Sequence, residues 1–75
     1  MIITVYSKPG CIQCSATCLA LKRKNLTYDI IDLTKDYEAL RFVINLGYQQ
    51  VPVIMVGKQH WSGFRPDIIS RLGNN

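Results

Sequence analysis

The feature that most constrains this chain is a pair of cysteines, Cys11 and Cys14, placed between a strand pattern and a helix pattern. Residues 2–6 are mostly β-branched and apolar, residues 7–10 are turn formers, and residues 15–24 follow a helical pattern. This order predicts a strand, a turn and a helix, with Cys11 as the helix cap. A Cys-x-x-Cys pair in that position indicates thiol–disulfide chemistry.

The start of a helix favours a negative charge on Cys11. Free backbone N–H groups, the positive end of the helix dipole and the nearby cation of Lys8 together predict a thiol pKa below its ordinary value of about 8.5. Cys14 follows one helical turn later, close enough to attack a mixed disulfide formed at Cys11. We therefore expect Cys11 to attack and Cys14 to resolve. An equally good interpretation is that Lys8 is simply an exposed, solvated residue of the loop.

The rest of the chain predicts three more strands and two more helices. A strand over residues 28–33 precedes a helix that is capped by Thr34, begins near Lys35 and ends at Gly47. The later elements are a strand over 51–56, a turn at 57–58, a strand over 59–61 and a helix from Pro66 to Gly73. An apolar stripe on the second helix is predicted from Tyr37, Leu40, Val43, Ile44 and Leu46.

The predicted element order is therefore βαβαββα. Its strand–helix–strand opening predicts a parallel pair of strands, and the short connection at residues 57–58 predicts an antiparallel hairpin. The result is an α/β domain with a mixed four-stranded sheet and three helices. Together with the cysteine pair after the first strand, this arrangement indicates a thioredoxin-like fold.

Length and composition narrow the class of protein. Seventy-five residues allow one small domain, expected to span residues 1–75. We expect no signal peptide and no membrane span, and three cysteines suit a reducing compartment better than a secreted disulfide scaffold. These features predict a cytoplasmic protein without a membrane partner. The net charge of +4 has one basic cluster, residues 22–24 at a helix end, which predicts no nucleic-acid partner.

Three segments carry a resemblance to a known family. The stretch Tyr6 to Cys14 is similar to the opening of small glutaredoxin-type proteins. Residues 46–48 with residues 50–53 and, above all, residues 60–67 with the sequence HWSGFRPD resemble the NrdH-redoxins. The likeness covers nearly the whole chain, and the block from Trp61 to Asp67 is far more specific than a Cys-x-x-Cys pair.

The resemblance implies the partners and the direction of electron flow. NrdH-redoxins look like glutaredoxins but act like thioredoxins, taking electrons from thioredoxin reductase, ultimately from NADPH. They reduce the disulfide of class Ib ribonucleotide reductase, here expected to be that of its large subunit. A monomer suits a carrier that must dock alternately with two enzymes. We expect no bound cofactor or metal, and the redox group is the Cys11–Cys14 disulfide.

The resemblance further implies a cis peptide bond between Val51 and Pro52, beside the active-site cysteines. Such a turn keeps the Val51 backbone free to pair with an extended substrate segment lying over Cys11. A trans proline at the start of a strand is the alternative. The predicted partner-binding residues are Lys8, Gln13, Val51, Pro52, Trp61, Ser62, Gly63 and Phe64.

Residues 61–64 have two interpretations. They could form an exposed aromatic docking surface next to the cysteines, or Trp61 and Phe64 could close the core while Ser62 and Gly63 form a turn. Glutaredoxins carry a Gly-Gly pair and an acidic residue here that help to hold glutathione. Ser62-Gly63 departs from that pair, and Asp67 is better interpreted as an acidic residue in the first turn of a helix.

Two other functions remain as alternatives. A glutathione-dependent glutaredoxin is compatible with the Tyr6 to Cys14 opening, although the altered Ser62-Gly63 region argues against it. A metal or iron–sulfur module could use Cys11, Cys14, Cys18 and His60, but three cysteines on one short helix converge poorly. Cys18 is interpreted as a buried or half-buried spectator thiol, because cysteines four residues apart on a helix bridge poorly, and a redox-regulatory role is the alternative. His60 is interpreted as a polar residue on an edge strand.

Overall fold

The computed structural model describes residues 1–73 and confirms the predicted order of strands and helices. Each predicted element is present, although several are shorter than their sequence patterns. The bounds are β1 Ile3–Ser7, α1 Ile12–Arg23, β2 Asp29–Asp32, α2 Tyr37–Asn45, β3 Val53–Val56, β4 Gln59–Ser62 and α3 Pro66–Ile69. None of the helices within residues 1–73 is long and apolar enough to cross a membrane.

The four strands form one mixed sheet in the order β2-β1-β3-β4. β1 runs parallel to β2 and antiparallel to β3, while β3 and β4 form an antiparallel hairpin. The turn of that hairpin is at residues 57–58, as predicted, and Gly57 supplies the positive φ that a tight turn requires. This is the thioredoxin-like fold, and it places the end of β1 and the start of β3 next to each other.

Two apolar clusters cover the two faces of the sheet, because side chains alternate along each strand. On one face, Ile3, Val5 and Ile54 pack with residues of α1 and the α3 region. On the other face, Tyr6 and Val53 pack with Val43 of α2. α1 and α3 therefore share one face, and α2 covers the other alone.

The predicted cap of α2 is wrong. Asp36 caps this helix, since its carboxylate accepts from the Ala39 N–H over 3.0 Å. Thr34 instead donates its hydroxyl and its backbone N–H to Asp32 Oδ1, over 2.6 and 2.8 Å. Because this local turn occupies Thr34, α2 begins at Tyr37 and not near Lys35.

The predicted apolar stripe of α2 is also too wide. Val43 is buried, but the side chains of Tyr37 and Ile44 are 70% and 56% exposed. At about 100° per residue, each lies roughly 100–120° around the helix from Val43. Only the sector around Val43 therefore faces the sheet.

Candidate active site

The Cys11–Cys14 pair forms a disulfide at the start of α1. Cys11 has the extended backbone conformation of an N-cap, and its Sγ accepts from the Cys14 N–H over 3.2 Å. The Cys11 carbonyl also accepts the first helical hydrogen bond, from the Ser15 N–H. The prediction that Cys11 caps the helix is confirmed, so a thiolate formed there on reduction lies at the positive end of the helix dipole.

The two sulfur-bearing residues differ in accessibility. Cys11 is half-buried, whereas Cys14 is only 5% exposed. A partner that approaches from solvent therefore reaches Cys11 first.

The loop before β3 lies against Cys11. The Val51–Pro52 peptide bond is cis, as the resemblance implied, and Pro52 is buried. The Val51 carbonyl oxygen lies 4.0 Å from Cys11 Sγ. The structure thus places the Val51 backbone directly beside the reactive sulfur.

A third segment, residues 62–64, meets the other two. The Gly63 N–H donates to the Pro52 carbonyl over 2.8 Å, and the Phe64 N–H donates to Gln13 Oε1 over 3.2 Å. Ser62 ends β4 and is half-buried. The structure therefore brings together the cysteine pair, the cis-proline loop and the 62–64 segment.

Trp61 is one of the predicted partner-binding residues, but it is buried in the structure. Its side chain is 6% exposed and belongs to the core cluster on the α1 and α3 face. Register with Ile54 on β3 explains this, because both residues face the same side of the sheet. The core interpretation holds for Trp61, while Phe64 remains 37% exposed.

Two grooves flank the disulfide. The β2 groove, of about 430 Å³, is lined on its own side by Ser7, Pro9, Cys14, Ser15, Cys18 and Ile30. The α2 groove, of about 680 Å³, is lined on its own side by Gln13, Leu33, Thr34, Leu40, Gln49, Gln50 and Val51. It adjoins a further cavity of about 440 Å³ that reaches Val43 and Tyr48. Lys8, Gly10, Cys11 and Ile12 line both grooves and form the ridge between them.

Lys8 lies on the ridge shared by the grooves and is exposed. Within residues 1–73 it makes no ion pair. Its two predicted roles, stabilising the thiolate and solvating the loop, both stay predictions.

The wall of the α2 groove was missed from the sequence. Leu40, Gln49 and Gln50 were not among the predicted site residues, although they line this groove with Val51. The available signal was the position of Gln49 and Gln50 directly before the cis-proline loop.

Asp67 is held by its own neighbour. Arg65 donates from Nε and Nη2 to the two carboxylate oxygens, over 3.1 and 2.9 Å. These hydrogen bonds from Arg65 lower the pKa of Asp67 below its ordinary value, so the carboxylate is ionised and paired at neutral pH. Asp67 also lies in the first turn of α3, as predicted.

Cys18 and His60 are the other two residues that the sequence suggested as possible metal ligands. Cys18 is a free, half-buried thiol that packs against the core and lines the β2 groove. The exposed His60 forms a hydrogen bond of 2.7 Å between its Nδ1 and the Tyr48 hydroxyl. Within residues 1–73, no three His, Cys, Asp or Glu residues are arranged to hold a metal ion.

Comparisons of the sequence and of the structure with known proteins give consistent matches. The glutaredoxin family model matches residues 3–61. The glutaredoxin-like protein NrdH of Escherichia coli (strain K12) is 39% identical over 72 residues, covering 96% of this chain and 89% of that protein. The protein of the same name from Lactococcus lactis subsp. lactis (strain IL1403) is 34% identical over 71 residues, covering 95% and 99%. The solved NrdH-redoxin of Escherichia coli, described as glutaredoxin-like with a thioredoxin-like activity profile, gives a TM-score of 0.95 at 37% identity and covers 100% and 99%.

Proposed function

Because this chain belongs to the glutaredoxin family and is similar to its NrdH members, we propose that it carries electrons from thioredoxin reductase to class Ib ribonucleotide reductase. Its immediate substrate is then a disulfide on the large subunit of the ribonucleotide reductase. The carrier acts as a cytoplasmic monomer and needs no bound cofactor beyond its own cysteine pair.

The proposed reaction is two successive thiol–disulfide exchanges. The Cys11 thiolate attacks the partner disulfide, a bond forms between Cys11 and one partner sulfur, and the other partner sulfur leaves and takes a proton. The Cys14 thiolate then attacks Cys11 Sγ, so the mixed disulfide breaks and the second partner sulfur leaves as a thiol. Two electrons pass to the partner, and thioredoxin reductase returns two electrons to the Cys11–Cys14 disulfide.

The unequal burial of the two cysteines supports this assignment of roles. The partner disulfide must reach the attacking sulfur from outside, which suits the half-buried Cys11. The resolving sulfur needs to reach only Cys11, which suits the buried Cys14. The helix terminus stabilises the thiolate form of Cys11, which is the form that attacks.

The choice of thioredoxin reductase over glutathione is supported by the Arg65–Asp67 pair. A glutathione site in this fold would use an acidic side chain at the start of the last helix. Here both Asp67 oxygens accept from Arg65. The carboxylate that would bind the ammonium group of glutathione is therefore already paired.

The donor is tested by giving the oxidised protein two alternative reducing systems. One contains NADPH and thioredoxin reductase, and the other contains NADPH, glutathione and glutathione reductase. We expect rapid NADPH consumption only in the first, followed by turnover when class Ib ribonucleotide reductase and a ribonucleotide substrate are added. Rapid reduction by glutathione alone would replace this proposal with the glutaredoxin alternative.

A further inference from the structure

The side chain of Gln13 connects the active-site helix to the 62–64 segment. The Phe64 backbone N–H donates to Gln13 Oε1 over 3.2 Å. A backbone N–H can only donate, so the amide atom that meets it must be the oxygen, which fixes the orientation of the Gln13 amide. Gln13 is exposed on α1, so this contact does not form part of the core.

The same segment is held at a second point by the cis-proline loop. The Gly63 N–H donates to the Pro52 carbonyl over 2.8 Å. Gly63 has a φ of +85°, and a Cβ built there would lie 3.5 Å from Gln13 Oε1. Gln13 and Pro52 therefore hold two successive backbone N–H groups, and the chain passes close to the Gln13 side chain.

The residue that these two bonds position is Phe64. Trp61 is buried in the core, so Phe64 is the aromatic side chain of this segment that a partner can contact. A protein substrate is large enough to bury the exposed part of the ring while its disulfide reaches Cys11, whereas a small disulfide is not. Aromatic side chains that become buried in this way contribute strongly to protein–protein affinity.

We propose that Gln13 is a positioning residue that favours protein disulfides over small disulfides by holding the Phe64 backbone beside the Cys11–Cys14 pair. The proposal rests on the thiol–disulfide activity of the proposed function but not on the identity of the electron donor. Gln13 acts through Phe64, so its loss weakens the encounter with a protein disulfide more than the encounter with a small one.

Two substitutions at Gln13 separate the hydrogen bond from other effects. Gln13→Leu removes the acceptor and keeps a good helix former, while Gln13→Glu keeps an oxygen that can accept from the Phe64 N–H. Each variant is reduced, freed of reductant and mixed with excess insulin, a protein disulfide, or cystine, a small one. Acid quenching and thiol alkylation give the rate constant for oxidation of Cys11–Cys14. A change in cysteine reactivity enters both rates, so the insulin-to-cystine ratio is the readout.

We expect Gln13→Leu to lower this ratio by about three- to tenfold, the range that corresponds to one lost hydrogen bond. Gln13→Glu should keep the ratio within about twofold of the original protein, as expected for a retained acceptor. The amide resonance of Phe64 should shift in the Leu variant. An unchanged ratio in Gln13→Leu, or an equal loss in Gln13→Glu, would overturn the proposal.

A double-mutant cycle tests whether Gln13 acts through Phe64. In a Phe64→Ala background, Gln13→Leu should cause no further loss of the ratio, because the ring that it positions is gone. A full second loss in that background would contradict the inference. Neither substrate involves thioredoxin reductase, so a failed test of the electron donor leaves this result interpretable on its own.

Discussion

The β2 groove and the α2 groove share the ridge beside the disulfide, but different residues line the opposite wall of each groove. The β2 groove is the smaller and contains the sulfur-bearing residues Cys14 and Cys18 on its own side. The α2 groove is larger and is bounded by the Val51 backbone and by the polar side chains of Gln49 and Gln50. An extended segment needs backbone groups with which to pair, and only the α2 groove offers the Val51 backbone next to Cys11. We therefore expect partners to occupy the α2 groove and to leave the β2 groove open.

The largest effects should come from the cysteines on and beside the ridge. Cys11→Ser should abolish reduction of any disulfide, because the attacking sulfur is lost. Cys14→Ser should still attack but should accumulate a mixed disulfide with the partner, since nothing resolves it. Non-reducing electrophoresis and mass spectrometry of the product measure this. A trapped partner on Cys11→Ser and none on Cys14→Ser would reverse the assigned roles.

A matched pair of tryptophan substitutions tests the difference between the grooves directly. Gln50 and Ser15 are both exposed, and each lines one groove only. Gln50→Trp should obstruct the α2 groove and lower kcat/KM for a protein disulfide by about tenfold, a loss of about 1.4 kcal/mol in transition-state stabilisation. Ser15→Trp should change kcat/KM by less than about twofold, as surface substitutions outside a site usually do.

Steady-state rates with thioredoxin reductase, together with insulin reduction, give these values. Thermal unfolding of both variants serves as the control for folding. If Ser15→Trp caused the greater loss, the substrate side would be the β2 groove.

A smaller effect is expected on the use of glutathione as a donor. Arg65→Ala leaves the Asp67 carboxylate without its partner, so the rate of reduction by glutathione should rise by about threefold, consistent with one additional charged contact. NADPH consumption in the presence of glutathione reductase measures this rate. Arg71→Ala removes an exposed arginine elsewhere and is the charge-matched control. An equal rise in both variants would assign the effect to net charge and not to Asp67.

The smallest effect should come from Cys18 in the β2 groove. Cys18→Ser should leave turnover with a protein disulfide within about twofold, while the free energy of unfolding falls by about 1 kcal/mol because a thiol packed against the core is replaced by a hydroxyl. Turnover assays and chemical denaturation give the two numbers. Loss of most of the activity would give this cysteine a redox role and the β2 groove a part in the reaction.

Features that depend on short stretches of chain were predicted well from the sequence. Three examples are the turn residues before Cys11, the Gly57-Lys58 turn and Pro66 at the first turn of α3. Each acts on the backbone next to it, so its effect could be inferred locally. The choice between two nearby residues that can both cap a helix was harder to predict. Thr34 and Asp36 are both good caps, and only the bonds from Thr34 to Asp32 show which of them the helix uses.

Site features that depend on distant contacts needed the structure. The burial of Trp61 follows from its register with Ile54, which no local pattern fixes. The contact of Gln13 with Phe64 joins residues 51 positions apart. The cis bond before Pro52 was anticipated only through the family resemblance, since the Val-Pro pair by itself favours the trans form.

The attachment of α2 has a consequence for how the proposed carrier would dock with its two proposed enzymes. Val43 is the buried residue of α2, whereas α1 buries Cys14, Thr17 and Leu21. Segments with few buried groups open locally at low free energy, so the amide hydrogens of α2 should exchange with solvent faster than those of α1. The groove wall formed by Leu40 would then adjust its shape to each proposed partner, while the cysteines stay fixed on the more rigid helix.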